Sequence, residues 1–383
     1  MTFDFDTLID HTGTDSRKWH KYAGRDILPL WIADMDFAAP PAVRAALQHR
    51  VEHGIFGYGR PLPTLTEGVV NYCANRYHWQ IDPAWIVWVP GVVTSLNLAA
   101  AAFGEPGDAV LAATPVYPPF MSAPKNAGRE TIKVPLARHA DGRYGFDWAA
   151  MERAVTPRTR LFYLCSPHNP VGRVFTRAEL EEVAAFCERH NLILVSDEIH
   201  CDLILDDRPH VPAATLSPAT AARTVTLMAP SKTYNIAGLT CSFALIADPK
   251  LRAGFTRAMA GIVPEMNVLG FAACEGALRD GEPWRQALLT YLRGNRDLIA
   301  AFVRQNLPGV IMTPCEATYL AWLDVSVHGL GSAGEFFEQH GLGLSDGIQF
   351  GAPPGQFVRF NFGCPRARLT EALARMKRAL AAR

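Results

Sequence analysis

Between about residues 85 and 250 the chain alternates short apolar, β-branched runs with helical patterns, and nothing else in the sequence constrains the fold as tightly. The runs fall at 85–89, 109–113, 131–134, 161–165, 192–195, 224–228 and 242–246. Repeated strand-then-helix units imply an α/β fold with a mainly parallel sheet covered on both faces, because each crossover lays its helix against one side. Helices are expected at 94–103 and 177–190, the second opened by a capping box of Thr176 with Glu179. Beyond Pro283, Trp284, Leu288, Leu292, Ile299 and Val303 recur at helical spacing as far as Asn306, ahead of the breaker Leu307-Pro308-Gly309. Strands at 319–325 and 357–362, with helices at 333–340 and 369–382, suit a smaller α/β domain. The N-terminal stretch, interrupted by Pro29, Pro40, Pro41, Pro61 and Pro63, holds no core of its own and packs on its neighbours or on a second subunit. The expected division is an arm at 1–45 that contributes to the small domain, a large domain at 46–284 and a small domain at 285–383.

Composition narrows the partners. Thirty-seven basic residues balance thirty-seven acidic ones without a Lys/Arg block, which argues against nucleic acid and anionic membrane surfaces. Eight cysteines are scattered with no Cys-x-x-Cys pair and no His/Cys cluster at metal spacing, so reduced, buried thiols and no metal are expected. The first residues lack the basic patch and apolar run of a secretory signal, and no stretch reaches the roughly eighteen apolar residues of a membrane span. A cytoplasmic protein is the expectation.

In open α/β sheets the chemistry gathers beyond the carboxyl ends of the strands, so the polar residues just past each apolar run are the ones to weigh. Asp197 ends one run. A buried carboxylate there needs a cation such as a protonated pyridine nitrogen, or else caps the next helical turn. Lys232 ends another, as a Schiff-base lysine for a carbonyl cofactor or as a solvated surface residue. Asn169 sits in a Pro/Gly-framed turn, either satisfying its own backbone or donating to a phenolate oxygen. Gly91 to Thr94 opens a helix whose free amides suit an anion. Tyr117 either lies on an aromatic ring or fills a Pro-rich corner. Arg359 interrupts an apolar strand as a fork for a substrate carboxylate, or as half of a structural salt bridge.

Asn169-Pro-Val-Gly172, Asp197-Glu-Ile-His200 and Ser231-Lys-Thr-Tyr-Asn235 succeed one another in a fixed order. In this the chain resembles, over nearly its whole length, the fold-type I pyridoxal-phosphate enzymes of the class I/II aminotransferase superfamily. Trp31-Ile-Ala-Asp-Met-Asp-Phe37, Phe56-Gly-Tyr58, Pro115-Val-Tyr-Pro-Pro-Phe120 and Asp15-Ser-Arg-Lys-Trp19 resemble its MalY/PatB group of carbon–sulfur β-lyases. Ala229, Thr240 and His200 depart from the aminotransferase pattern, where Ser, a phosphate-binding Arg and Tyr are usual.

The resemblance implies pyridoxal 5′-phosphate held by Lys232, with Asp197 at the ring nitrogen, Asn169 at the 3′-oxygen, and Tyr117 and His200 beside the ring. It implies a phosphate bound by the amides of Val92 and Val93, by Thr94 and Ser231, and by Tyr58 of the partner subunit in a homodimer. Arg359, Asn169, Trp31 and Ala33 would bind the substrate, with Lys232, Asp197 and Tyr117 as the catalytic set. The implied reaction is α,β-elimination of L-cystathionine or a related cysteine S-conjugate to thiol, pyruvate and ammonia. The alternative is transfer of an amino group between an amino acid and a 2-oxo acid.

Overall fold

The computed structural model describes residues 3–382. Seven strands build its main sheet: β1 (Ile86–Val89), β2 (Ala109–Thr114), β3 (Glu130–Pro135), β4 (Thr159–Cys165), β5 (Ile193–Asp197), β6 (Thr224–Met228) and β7 (Ser242–Leu245). Their spatial order is β1-β7-β6-β5-β4-β2-β3. Six run parallel and β7 runs against both of its neighbours. The expected runs match these strands to within two residues at each end.

Alternation along the strands explains why both faces are covered. Val110, Ala112, Leu161 and Tyr163 point into one core with Leu96 and Phe255, while Leu111, Ala113, Phe162 and Leu164 point into the other with Val183 and Phe186. Helix Val92–Ala102 supplies the first layer and helix Arg177–Arg189 the second. The capping box that opens the latter is present: Thr176 Oγ1 accepts from the Glu179 amide at 3.2 Å, and Glu179 Oε2 accepts from the Thr176 amide at 2.7 Å.

A second body is built on the antiparallel strands Ile311–Met312, Leu320–Asp324, Phe357–Asn361 and Ser345–Asp346, in that spatial order. Helices Glu282–Asn306 and Arg366–Ala381 pack into the same hydrophobic cluster as these strands. The N-terminal stretch joins this body, since Leu28–Pro29 pairs in parallel with Leu342–Gly343.

Two helices, Pro41–His53 and Pro63–Tyr77, stand where the prolines suggested interruption. The reason is positional: Pro41 and Pro63 each occupy the first helical position, where the missing N–H has no acceptor in any case. The first of these lies so close to helix Val268–Asp280 that a Cβ on Gly276 would stand 3.0 Å from the Ala42 carbonyl. Among the described residues no helix is long and apolar enough to cross a membrane, and no group of His, Cys, Asp and Glu is arranged to hold a metal ion. All eight cysteines are free and buried.

Candidate active site

Because β1, β2, β4, β5 and β6 are parallel, the residues just past them meet at one edge of the sheet. Asp197 is the last residue of β5 and is buried, with a single amide donor, that of Ile199 at 3.1 Å. Burial pushes its carboxyl up to about 7; the Ile199 amide opposes that shift, Glu198 adds to it and Lys232 opposes it. No cation forms an ion pair with it among the described residues.

Lys232, in the turn after β6, is half-buried and donates from Nζ to the Ala33 carbonyl at 2.6 Å. Burial lowers its amine to about 8, against the pull of the Asp34 carboxylate and with a push from Arg359. An amine so depressed is a base and a nucleophile near neutral pH. His200 is buried beside it with Nδ1 lacking a partner among the described residues, and burial followed by the charges of Lys232 and Arg359 drops its imidazole to about 3, so it is neutral.

Arg359 lies buried on strand Phe357–Asn361 without a carboxylate partner among the described residues, which leaves no structural salt bridge there to explain it. Its Nη1 donates to Asn169 Oδ1 at 3.1 Å and its Nη2 to the Trp31 carbonyl at 2.6 Å, while Nε has no acceptor. The guanidinium also faces the Phe350 ring at 4.7 Å, and burial lowers it to about 10, still charged at neutral pH. A buried, aimed and unneutralised arginine is a receptor for a carboxylate.

Asn169 spends its oxygen on Arg359 and keeps its NH2 group as a donor. Its carbonyl accepts from the Tyr117 amide at 3.1 Å, which ties the loops after β2 and β4 together. Tyr117 is half-buried in that corner, its hydroxyl pushed up by burial and in reach of the charges of Arg359, Asp197 and Arg17.

The helix start after β1 is formed as expected, with Gly91 at φ 96°, where a side chain would be strained. Thr94 Oγ1 is already donating to the Pro90 carbonyl at 3.0 Å, whereas the first-turn amides of Val92 and Val93 lack intrahelical acceptors. Ser231 is buried next to Lys232. The structure thus brings Lys232, Asp197, His200, Asn169, Tyr117, Arg359, Trp31 and Ala33 together. Tyr58 does not join the site of its own chain: it is 97% exposed, beside the exposed Ile55, Phe56 and Leu62.

Sequence reasoning missed the anchors that hold the segment 31–37 in place. Asn235, at φ 55°, grips it three times, accepting from the Met35 amide at 2.9 Å and donating to the Met35 and Phe37 carbonyls at 2.9 and 2.7 Å. Asn361 donates to the Ile32 and Asp34 carbonyls, each at 2.6 Å. The fully buried Lys18 pairs with Asp36 at 2.9 Å, and Tyr319 donates to the Ala33 carbonyl at 3.0 Å. Asn235 was visible inside a family motif, but its partners are backbone atoms, which leave no trace in a sequence.

The chain is similar over its whole length to known proteins. The model of the family described as aminotransferase class I and II matches residues 25–376. The cystathionine beta-lyase PatB of Bacillus subtilis is 40% identical, over 98% of this chain and 100% of its own. The crystal structure of OvoB is 48% identical and superimposes with a TM-score of 0.96 over 100% of both chains. Cystalysin from Treponema denticola, whose structure contains a pyridoxal 5′-phosphate cofactor, is 31% identical, with a TM-score of 0.95 over 100% of both chains.

Proposed function

The chain belongs to the aminotransferase class I and II family, and from that premise we propose that it is a pyridoxal-phosphate-dependent carbon–sulfur β-lyase. Its fold is that of the fold-type I pyridoxal-phosphate enzymes. The observation that carries the reading is a mismatch of charge at the sheet edge. A buried carboxylate without a cation, Asp197, shares the cleft with a depressed amine, Lys232, and with unpartnered polar atoms on His200 and Arg359. Left alone, these groups are costly; a flat, phosphorylated, cationic heterocycle with an aldehyde satisfies them. The residues therefore fit the cofactor.

When bound, pyridoxal phosphate supplies an electron sink for the charge left at Cα once its proton departs. Lys232 would hold it covalently and Asp197 would keep its ring nitrogen protonated. The NH2 of Asn169 would donate to its 3′-oxygen, Tyr117 and His200 would flank it, and the amides of Val92 and Val93, with Ser231, would take the phosphate. Arg359 binds the substrate carboxylate and so aims the Cα–H bond at Lys232. Freed when the substrate's own amine takes its place on the cofactor, the Lys232 amine would take that proton, and a thiolate would leave the neighbouring carbon. Water completes the release of pyruvate and ammonia. Asn169 and the Trp31 carbonyl hold Arg359 in position, and the Ala33 carbonyl does the same for the free Lys232 amine.

Residues 46–284 are the cofactor-holding domain in this reading, and 1–45 with 285–383 make the smaller one, supported by the pairing of Leu28–Pro29 with Leu342–Gly343. The exposed apolar loop around Tyr58 supports a homodimer in which Tyr58 of the partner subunit reaches the phosphate. Eight unpaired thiols suit a reducing cytoplasm. The test is to incubate the holoenzyme with L-cystathionine, and separately with an amino acid plus 2-oxoglutarate. Pyruvate and thiol are expected from the first; glutamate from the second, without pyruvate or thiol from the first, overturns the lyase assignment.

A further inference from the structure

The short helix Arg17–His20 and the turn after it carry a cluster of cations beside Trp31, and, among the described residues, all but one of the long ones are neutralised. Lys18 is buried against Asp36 at 2.9 Å and Asp34 at 3.5 Å. Lys21 and Arg25 share Glu338, at 3.4 and 3.2 Å. Arg17 is exposed and has no hydrogen bond or ion pair among the described residues. Its guanidinium carbon lies 5.9 Å from the centroid of the Trp31 ring. The carbonyl of that same tryptophan holds Arg359 at 2.6 Å. Arg17 therefore stands one indole outward from the group that binds the substrate's α-carboxylate, and the hydroxyl of Tyr117, deeper in the cleft, lies within range of its charge.

With the α-carboxylate fixed in the interior by Arg359, the far end of an S-conjugate has to extend outward, toward the rim. A guanidinium resting on an aromatic face keeps its N–H edge free for a bidentate carboxylate. We propose that Arg17 is a specificity-determining residue that binds a carboxylate on the leaving thiol. The favoured substrates are then cysteine S-conjugates whose leaving group is itself an acid, an amino-acid thiol foremost. This rests on the lyase reading above and adds to it the residue that selects an acidic leaving group.

The experiment measures pyruvate formation by the holoenzyme from L-cystathionine, from S-(2-carboxyethyl)-L-cysteine and from S-butyl-L-cysteine, which has the same reach as the first but no distal charge. In wild type both acidic conjugates should show the higher kcat/KM. In Arg17→Gln the ratio of acidic to neutral kcat/KM should fall about fivefold, mainly through KM, as befits a charge-assisted pair made by an exposed arginine. Arg17→Glu should lower it further and Arg17→Lys should retain most of it. A ratio that stays within about twofold of wild type in both Arg17→Gln and Arg17→Glu overturns the inference while the lyase stands. Pyruvate from none of the three conjugates with wild type overturns the lyase reading and this inference together.

Discussion

Replacing Asp197 with Asn should stabilise the cofactor-free protein at alkaline pH while crippling the holoenzyme. Asp197 titrates at about 7 in the folded chain against an ordinary 3.8, so the folded state keeps a proton that the unfolded state releases between those values. The stability that this proton lends is complete below the unfolded value and is lost as pH rises through the folded one. A gap of about three units at ~1.4 kcal/mol each amounts to roughly 4 kcal/mol, reached near pH 7 and level above it; less than half has accrued at about pH 5. Asn cannot ionise, still accepts the Ile199 amide, and escapes this loss. Any cost of burying its NH2 group is independent of pH. Urea unfolding of the two cofactor-free proteins should therefore show the variant gaining about 2.5 kcal/mol on wild type between about pH 5 and pH 8. A difference that does not move with pH refutes the claim that the folded chain buries an uncompensated carboxylate at 197. In the holoenzyme the same variant should lose most of its turnover, because a neutral amide does not keep the ring nitrogen protonated.

Lys232→Ala should abolish pyruvate formation yet retain a noncovalently bound cofactor, checked by absorbance after gel filtration. In the cofactor-free wild type the rate of cofactor uptake should rise with pH through a midpoint near 8, the depressed value of the free amine; a midpoint near 10.5 contradicts the burial argument. Arg359→Ala removes the carboxylate receptor and should raise KM by the equivalent of about 2–4 kcal/mol, with a smaller change in kcat. Asn235→Ala deletes three hydrogen bonds to the segment 31–37 and leaves Ala at a positive φ. Together these should cost about 3 kcal/mol of stability and lower kcat, read by thermal unfolding and steady-state kinetics.

Much of the site was legible because its key residues are local to strand ends. Asp197 ends its strand, and Lys232 and Asn169 each come four residues after theirs, so reading the strands located the cleft. Thr176 and Glu179 showed themselves in the same way, three residues apart. Pro41 and Pro63 misled, because a proline that starts a helix and one that breaks it look alike until the flanking turn is seen.

Periodicity and order were determined by the sequence alone: which runs are strands, that they build a mainly parallel sheet covered on both faces, and which reactive side chains stand near their ends. Only the tertiary structure decided how those side chains are held. Arg359 reaches Asn169 across 190 residues of chain, and the amine of Lys232 rests on a carbonyl 199 residues away. These anchors are backbone carbonyls of the segment 31–37 and side chains brought in from the second body. Every residue carries a carbonyl, so composition and spacing cannot mark the few that face an arginine or a lysine; only the closed fold selects them.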